Sequence, residues 1–140
     1  MPACAAILNA WIDATEWMPR VHDHDDVERY YCQVVFKERR VSIAENDGQA
    51  CAFMALSGDG YVTALYADPA HRNAGLGKHL IDSAKTVFPK KLQLWTFEAN
   101  NAAQRFYRRE MFSEVKRTAG DNEEGLPDIL LQWTASGAHA

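Results

Sequence analysis

The chain has 140 residues, 47% of them hydrophobic and 24% charged, a balance within the range of ordinary soluble globular domains. A chain of this length buries about 68% of its unfolded surface on folding, enough for one core without disulfide or metal staples and too little for two independent domains. Fifteen Lys and Arg against nineteen Asp and Glu leave a formal charge of -4, which argues against a non-specific polyanion binder and so against nucleic acid as a partner.

In chain order, Ile7, Leu8, Trp11 and Ile12 recur at helical spacing within Ala3 to Trp17, predicting a first helix that ends before Met18-Pro19. After the polar group His22 to Asp26, the residues Val27, Tyr30, Tyr31, Val34 and Val35 repeat that spacing and predict a second helix ending near Phe36, with Asp25 or Asp26 favouring its start. The period then changes. Arg40 to Glu45, Gln49 to Leu56 and Tyr61 to Ala67 are short, apolar or alternating, and separated by the turn sequences Asn46-Asp47-Gly48 and Ser57-Gly58-Asp59-Gly60, as in a three-stranded meander.

From Gly75, Leu76, Leu80, Ile81, Ala84, Val87 and Phe88 return to helical spacing until Pro89 stops them. Leu92 to Phe97 is too brief for a helix and apolar enough for a buried strand. Asn100 to Met111 predicts another helix with Ala103, Phe106 and Tyr107 on one face, and strands follow around Ser113 to Arg117 and Ile129 to Trp133. The strand, helix, strand passage from Tyr61 to Phe97 requires a right-handed crossover and therefore a parallel pair inside a mixed α/β sheet. Residues 1–135 are expected to form one domain, with a frayed tail over 136–140.

The longest unbroken apolar run, Ala50 to Leu56, falls far short of the ~20 residues of a spanning helix, so no membrane partner is expected. The first residues lack the basic and apolar regions of a secretory signal, so the expected location is cytoplasmic. Cys4, Cys32 and Cys51 are odd in number, widely spaced and set among apolar residues, and they read as small hydrophobes.

The segment Asp68 to Lys78 joins a strand to a helix and carries Gly75 and Gly77. Free N–H groups at a helix start attract anions, and glycine lets a ligand approach the backbone, although an isolated pair of glycines also suits a plain tight turn. A phosphate loop of the Walker type would need Gly and Ser/Thr where Arg72 and His79 stand, and a dinucleotide fingerprint would need Gly or Ala in place of Leu80. What fits is Arg-x-x-Gly-x-Gly, present as Arg72-Asn73-Ala74-Gly75-Leu76-Gly77. Downstream, Asn100-Asn101-Ala102-Ala103-Gln104-Arg105-Phe106-Tyr107 leads through Arg108-Arg109-Glu110 to Met111-Phe112.

Together these two stretches, in order within Tyr61 to Phe112, resemble the acetyl-CoA loop and the following Asn-x-x-Ala-x-x-Phe/Leu-Tyr-x-x-x-Gly-Phe helix of the GCN5-related N-acetyltransferase (GNAT) family. The resemblance implies a mostly antiparallel sheet that splays at a central parallel pair, with helices on both faces. It implies acetyl-CoA as co-substrate, its pantetheine arm pairing with the backbone of Leu65, Tyr66 and Ala67. The amides of Arg72, Asn73, Ala74, Gly75, Leu76, Gly77 and Lys78 would hold the pyrophosphate, with charge from Arg72 and Lys78; Lys78 reads equally well as a solvated helix residue. Asn100, Ala103 and Phe106 would contact the cofactor, and Asn100 also suits the N-cap of its own helix.

Acyl transfer to an amine needs a proton for the departing thiolate, and Tyr107, a phenol with a usual pKa of ~10, is the candidate donor. Its alternative is a core tyrosine beside Phe106. Glu98 is the first candidate base, expected to face the cleft, with Asp68 and His71 behind it; a carboxylate favoured by the helix dipole is the other reading of Glu98. Two departures stand out: Met111 occupies the place of the family's glycine, which casts doubt on a left-handed helix end there, and helical periodicity begins almost at Met1, where the family usually has a strand.

By the same resemblance, the first two helices and the last loop would shape the acceptor pocket. Trp11, Trp17, Met18, Tyr30 and Tyr31 could line an apolar wall, and Asp121, Glu123, Glu124 and Asp128 could attract a cationic amine; a packed helix pair and a solvated acidic turn are the plainer readings. His22-Asp23-His24-Asp25-Asp26 reads as a capping segment, and no metal is expected. The expected partner is a small-molecule or peptide amine, and a homodimer would cover an unpaired sheet edge. The leading expectation is an acetyl-CoA-dependent N-acetyltransferase acting by direct attack of the amine, which Tyr107 favours over the alternative of a non-catalytic sensor of CoA or interaction module.

Overall fold

A computed structural model describes residues 2–46, 48–68, 75–120 and 122–135. Arg72, Asn73 and Ala74 of the expected pyrophosphate loop, together with His71, Asp121 and the tail 136–140, lie outside the described residues.

The order of elements is α1 (Pro2–Ala14), α2 (His24–Tyr30), a π-helical turn (Tyr31–Val35), α3 (Phe36–Glu38), β1 (Arg40–Asn46), β2 (Gln49–Leu56), β3 (Tyr61–Ala67), α4 (Leu76–Val87), β4 (Lys91–Phe97), α5 (Asn101–Arg109), β5 (Ser113–Thr118) and β6 (Asp128–Thr134). The second expected helix thus continues unbroken from α2 through the π turn into α3. The inserted residue keeps Tyr31 and Val35 buried together while Phe36 turns to solvent. Asp23 caps α2, accepting from the backbone of Asp26 at 2.8 Å, two residues before the nearer of the two aspartates that the sequence suggested.

The strands form one sheet in the order β1-β2-β3-β4-β6-β5, antiparallel throughout except for β3 and β4. Among the described residues no strand precedes α1, so β1 is the sheet edge. Helices cover both faces. On one face α1, α2 and the π turn bury Cys4, Ile7, Val27, Tyr31 and Val35 against Phe53, Ala55 and Ala64. On the other, α4 and α5 bury Leu80, Ile81, Ala84 and Tyr107 against Met54, Leu56, Leu92, Leu94 and Ile129. Strand β2 lies between the two cores, which explains its unbroken apolar run: alternate residues serve opposite faces and neither face meets water.

The parallel pair positions everything that follows. β3 and β4 are each seven residues long, yet their ladder holds only at Tyr61 with Gln93 and Val62 with Leu94. Beyond Val62 the strands diverge, while Leu65, Tyr66 and Ala67 remain paired to Met54, Phe53 and Ala52 of β2. The gap opens toward the C-terminal ends of β3 and β4, where the start of α4 and the start of α5 converge. Among the described residues no helix is long and apolar enough to cross a membrane.

Candidate active site

The gap is a cleft of about 820 Å³, lined on one side by Leu65, Tyr66 and Ala67 and on the other by Asn100, Ala103, Phe106 and Tyr107. Gly75, Leu76, Gly77 and Lys78 close its α4 end. Eleven of the residues anticipated from sequence therefore line one surface. Since a β-strand's backbone groups point alternately to its two neighbours, part of the β3 backbone beyond Val62 faces the gap without a strand partner among the described residues. An extended ligand with amide groups fits such an edge.

The α4 end is shaped by its glycines. Gly75 is the N-cap of α4 at φ 78°, a left-handed conformation that glycine adopts without penalty. Gly77 has a different reason. A Cβ there would stand 3.2 Å from the tip of the Phe106 ring, so its missing side chain lets α4 and α5 approach across the cleft floor. Lys78 is engaged elsewhere: its ammonium lies 3.3 Å from Asp82 and 3.4 Å from Glu110, and the hydrogen bond to Asp82, followed by the charge of Glu110, raises its pKa.

Asn100 both lines the cleft and caps α5, its Oδ1 accepting from the Ala103 backbone at 3.0 Å. Tyr107 is buried against Phe106 and Phe112, with ring centroids 5.1 and 5.5 Å away. Its hydroxyl has no hydrogen-bond partner among the described residues. Burial, and secondarily the proximity of Tyr66, pushes the Tyr107 phenol well above its ordinary pKa, so it remains a proton donor at any physiological pH. Tyr66 behaves alike, pushed up to about 12 by burial and by the negative charge of Glu124.

Glu98 does not face the cleft as expected from sequence. It is exposed beyond the end of β4, its backbone N–H donates to Pro127 and its carboxylate lies 3.6 Å from the Arg117 guanidinium. The strand's alternation, which would have aimed it, ends at Phe97. Asp68 donates its backbone N–H to Cys51 at the end of β3.

On the α1 side, Trp11 and Trp17 line the cleft, while Tyr31 is a core residue against Phe53 and Tyr30 is exposed away from it. Two carboxylates line the cleft that sequence reasoning missed. Glu16 is the second residue past α1, and Glu110, with its side chain only 9% exposed, is held by Lys78 and Lys85. A signal for Glu110 existed in an acidic residue interrupting the basic end of α5. Asp128, the first residue of β6, is buried and bonded to Thr118 and Asn122, so its carboxylate is not free to meet a ligand, while Glu123 in the loop before it is exposed and lies 3.0 Å from His22.

A family model described as the Acetyltransferase (GNAT) family matches residues 6–111. The chain belongs to this family. Acetyl-CoA is the family's co-substrate, and the splayed β3 edge and glycine-opened α4 end fit an elongated thioester of that kind. The acetyltransferase is 25% identical over 136 residues to the peptidyl-lysine N-acetyltransferase YiaC of Escherichia coli K12, an alignment spanning 91% of this chain and 88% of that protein. It is 35% identical over 98 residues to the peptidyl-lysine N-acetyltransferase YjaB of the same strain, spanning 70% of this chain and 64% of that one. The solution structure of apo-form YjaB superposes with a TM-score of 0.74 at 27% identity, covering 93% of this chain and 88% of that chain. The Escherichia coli ribosomal-protein-S18-alanine N-acetyltransferase, at 20% identity and a TM-score of 0.67 over 93% of this chain and 85% of that one, shares the fold.

Proposed function

We propose that this acetyltransferase moves the acetyl group of acetyl-CoA to the primary amine of a lysine side chain in a peptide or protein, by direct attack. The observation that carries the reading is the position of Tyr107, buried, protonated and without a hydroxyl partner among the described residues, on the wall of a cleft opposite the unpaired edge of β3. The choice of lysine over other primary amines draws on the two peptidyl-lysine N-acetyltransferases that the chain resembles.

In this reading the β3 edge at Leu65, Tyr66 and Ala67 pairs with the pantetheine amides and aligns the thioester, and the backbone from Gly75 to Lys78 receives the pyrophosphate at the positive end of α4. Arg72, Asn73 and Ala74 would extend that cradle. Asn100, Ala103 and Phe106 supply the opposite wall. The neutral amine attacks the acetyl carbon and the C–N bond forms. As the tetrahedral centre collapses the C–S bond breaks, Tyr107 gives its phenolic proton to the sulfur, and the amine's surplus proton leaves through water at the cleft mouth. Tyr107 is then reprotonated from solvent. Glu98 has no part, because its carboxylate is paired with Arg117 outside the cleft.

Two measurements test the proposal. Calorimetry should show acetyl-CoA binding to the wild type and at least tenfold weaker binding to Gly75→Asp, which places a carboxylate at the pyrophosphate end. Release of CoA thiol in the presence of lysine peptides should be fast for the wild type and lost in Tyr107→Phe. Binding without thiol release for any amine acceptor would instead identify a CoA sensor.

A further inference from the structure

The amine side of the cleft carries a feature that neither cofactor binding nor proton donation uses. A row of four aromatic rings crosses the gap between the splayed strands: Tyr66 on β3 lies 5.0 Å from Trp11, Trp11 is edge-on to Trp17 at 5.8 Å, and Trp17 is edge-on to Phe97 on β4 at 5.7 Å. Trp11, Trp17 and Tyr66 also line the cleft, so the row is a wall and not only a packing contact. All four rings are half-buried.

The wall is held in place from behind. Thr15 donates its hydroxyl to the Trp11 carbonyl at 2.6 Å, and the backbone of Met18 donates to Thr15, which winds the chain into a turn just past α1 and sets Trp17 beside Trp11. Arg20 ties the following loop back to α1 through Asn9 and Asp13. Of the acids nearby, Asp13 is paired with Arg20 and His24, Glu123 is paired with His22, and Glu124 acts on Tyr66 at the far end of the row. Glu16, between the two tryptophans in sequence and on the cleft surface, makes no hydrogen bond or ion pair among the described residues.

We infer that Trp11 and Trp17 select the acceptor, with Glu16 at the entrance: the indole faces take the methylene chain and ammonium of an unbranched cationic amine such as a lysine side chain. Ring faces attract a cation by about 0.5–2 kcal/mol, and tryptophan is the strongest of the three aromatic types. An exposed carboxylate without a partner adds attraction that salt weakens. The inference rests on the acetyltransferase reading only for the direction in which the amine is used; recognition of the side chain is a separate property and is measured separately.

The experiment is calorimetry on CoA-saturated protein with two probes, a short blocked peptide containing one lysine and the same peptide with norleucine, which keeps the methylenes and lacks the ammonium. The wild type should bind the lysine peptide at least tenfold more tightly than the norleucine peptide. Trp17→Leu and Trp11→Leu should each weaken lysine binding about tenfold, and Trp17→Phe should restore most of the loss. Glu16→Gln, an exposed change that spares folding, should weaken the lysine peptide about threefold at low salt and leave the norleucine peptide unaffected. Acetyl-CoA affinity should stay within twofold in every variant, which separates a lost wall from a lost fold. Equal binding of the two peptides, or lysine binding indifferent to both Trp17→Leu and Glu16→Gln, overturns the inference while turnover of lysine peptides still upholds the catalytic reading. Tight, wall-dependent binding without turnover upholds the inference and overturns that reading.

Discussion

The backbone N–H of Phe112 donates to the carbonyl of Tyr107 at 3.0 Å, and that of Met111 donates to Arg108 at 3.1 Å, so the helix bearing the proposed proton donor ends in a doubly bonded left-handed turn. The left-handed residue is Met111, at φ 73°. The contact of Phe112 with Tyr107 across the turn, at 5.5 Å between rings, completes the arrangement. The doubt that methionine raises at this place in the sequence is therefore answered: the left-handed end is kept despite the side chain. Strain of about 1 kcal/mol is the expected cost, and Met111 is 59% exposed, so little burial is lost on removing it. Met111→Gly should raise stability by about 1 kcal/mol, seen as a higher urea midpoint with an unchanged slope, and Met111→Val should lower it by a similar amount. An unchanged midpoint in the glycine variant would show that this turn is not left-handed in solution.

Gly77 and Phe106 should be energetically coupled. A methyl group on Gly77 would have to push the Phe106 ring back by a few tenths of an ångström, in a region where α4 and α5 are packed against the same core. Gly77→Ala is expected to cost about 1 kcal/mol despite the helix preference of alanine, and Phe106→Leu in the same chain should remove much of that penalty. The sum of the single changes should therefore exceed the double change by at least 0.5 kcal/mol, a difference that chemical denaturation resolves. Strict additivity would mean the two residues do not touch.

Three tyrosines with raised phenol pKa values make stability fall at high pH. Burial raises Tyr31, Tyr66 and Tyr107, Tyr66 to about 12, so each phenol is harder to ionise in the folded chain than in the unfolded one. Below the unfolded value of ~10 both states are protonated and the stability is at its full value. Above it the unfolded chain loses protons first, which favours unfolding as pH climbs toward the folded values. Urea midpoints should be flat between about pH 8 and 9.5 with respect to these groups and drop beyond about pH 10. Tyr31→Phe, which keeps the ring against Phe53, should lessen that drop.

Much of this arrangement was legible in the residues. The glycine pair and the Asn100 to Phe112 helix face located the α4 end and one wall of the cleft, because cap, loop and helix-face requirements are local and leave a local pattern. The direction of Glu98 was not legible. Alternation along β4 buries Leu92, Leu94 and Thr96 on one face, but it ends at Phe97, and beyond that point Pro127 and Arg117, distant in sequence, decide where Glu98 turns. The aromatic residues of the first two helices looked alike for the same reason. Helical spacing marks Trp11 and Tyr31 as inward-facing, and only the gap between β3 and β4 distinguishes a ring at the cleft from a ring in the core.

The roles of Tyr107 and Glu98 should separate cleanly in steady-state kinetics. Tyr107→Phe keeps the packing against Phe106 and Phe112 and removes only the phenolic proton, so its stability should change by less than about 1 kcal/mol while kcat falls 10²-fold or more, the usual worth of a positioned general acid being about 10²–10⁴. The KM for acetyl-CoA should hold within about threefold, since no cofactor contact is lost. Because burial raises the Tyr107 pKa, wild-type kcat should climb with pH as the amine is deprotonated and show no decline from loss of the acid before about pH 10. Glu98→Gln breaks only an exposed pair with Arg117, and both kcat and stability should stay near wild type, within about twofold and 0.5 kcal/mol. A large loss of kcat in Glu98→Gln with an intact KM would place a carboxylate base at the end of β4 after all, and would require that segment to turn inward when substrates bind.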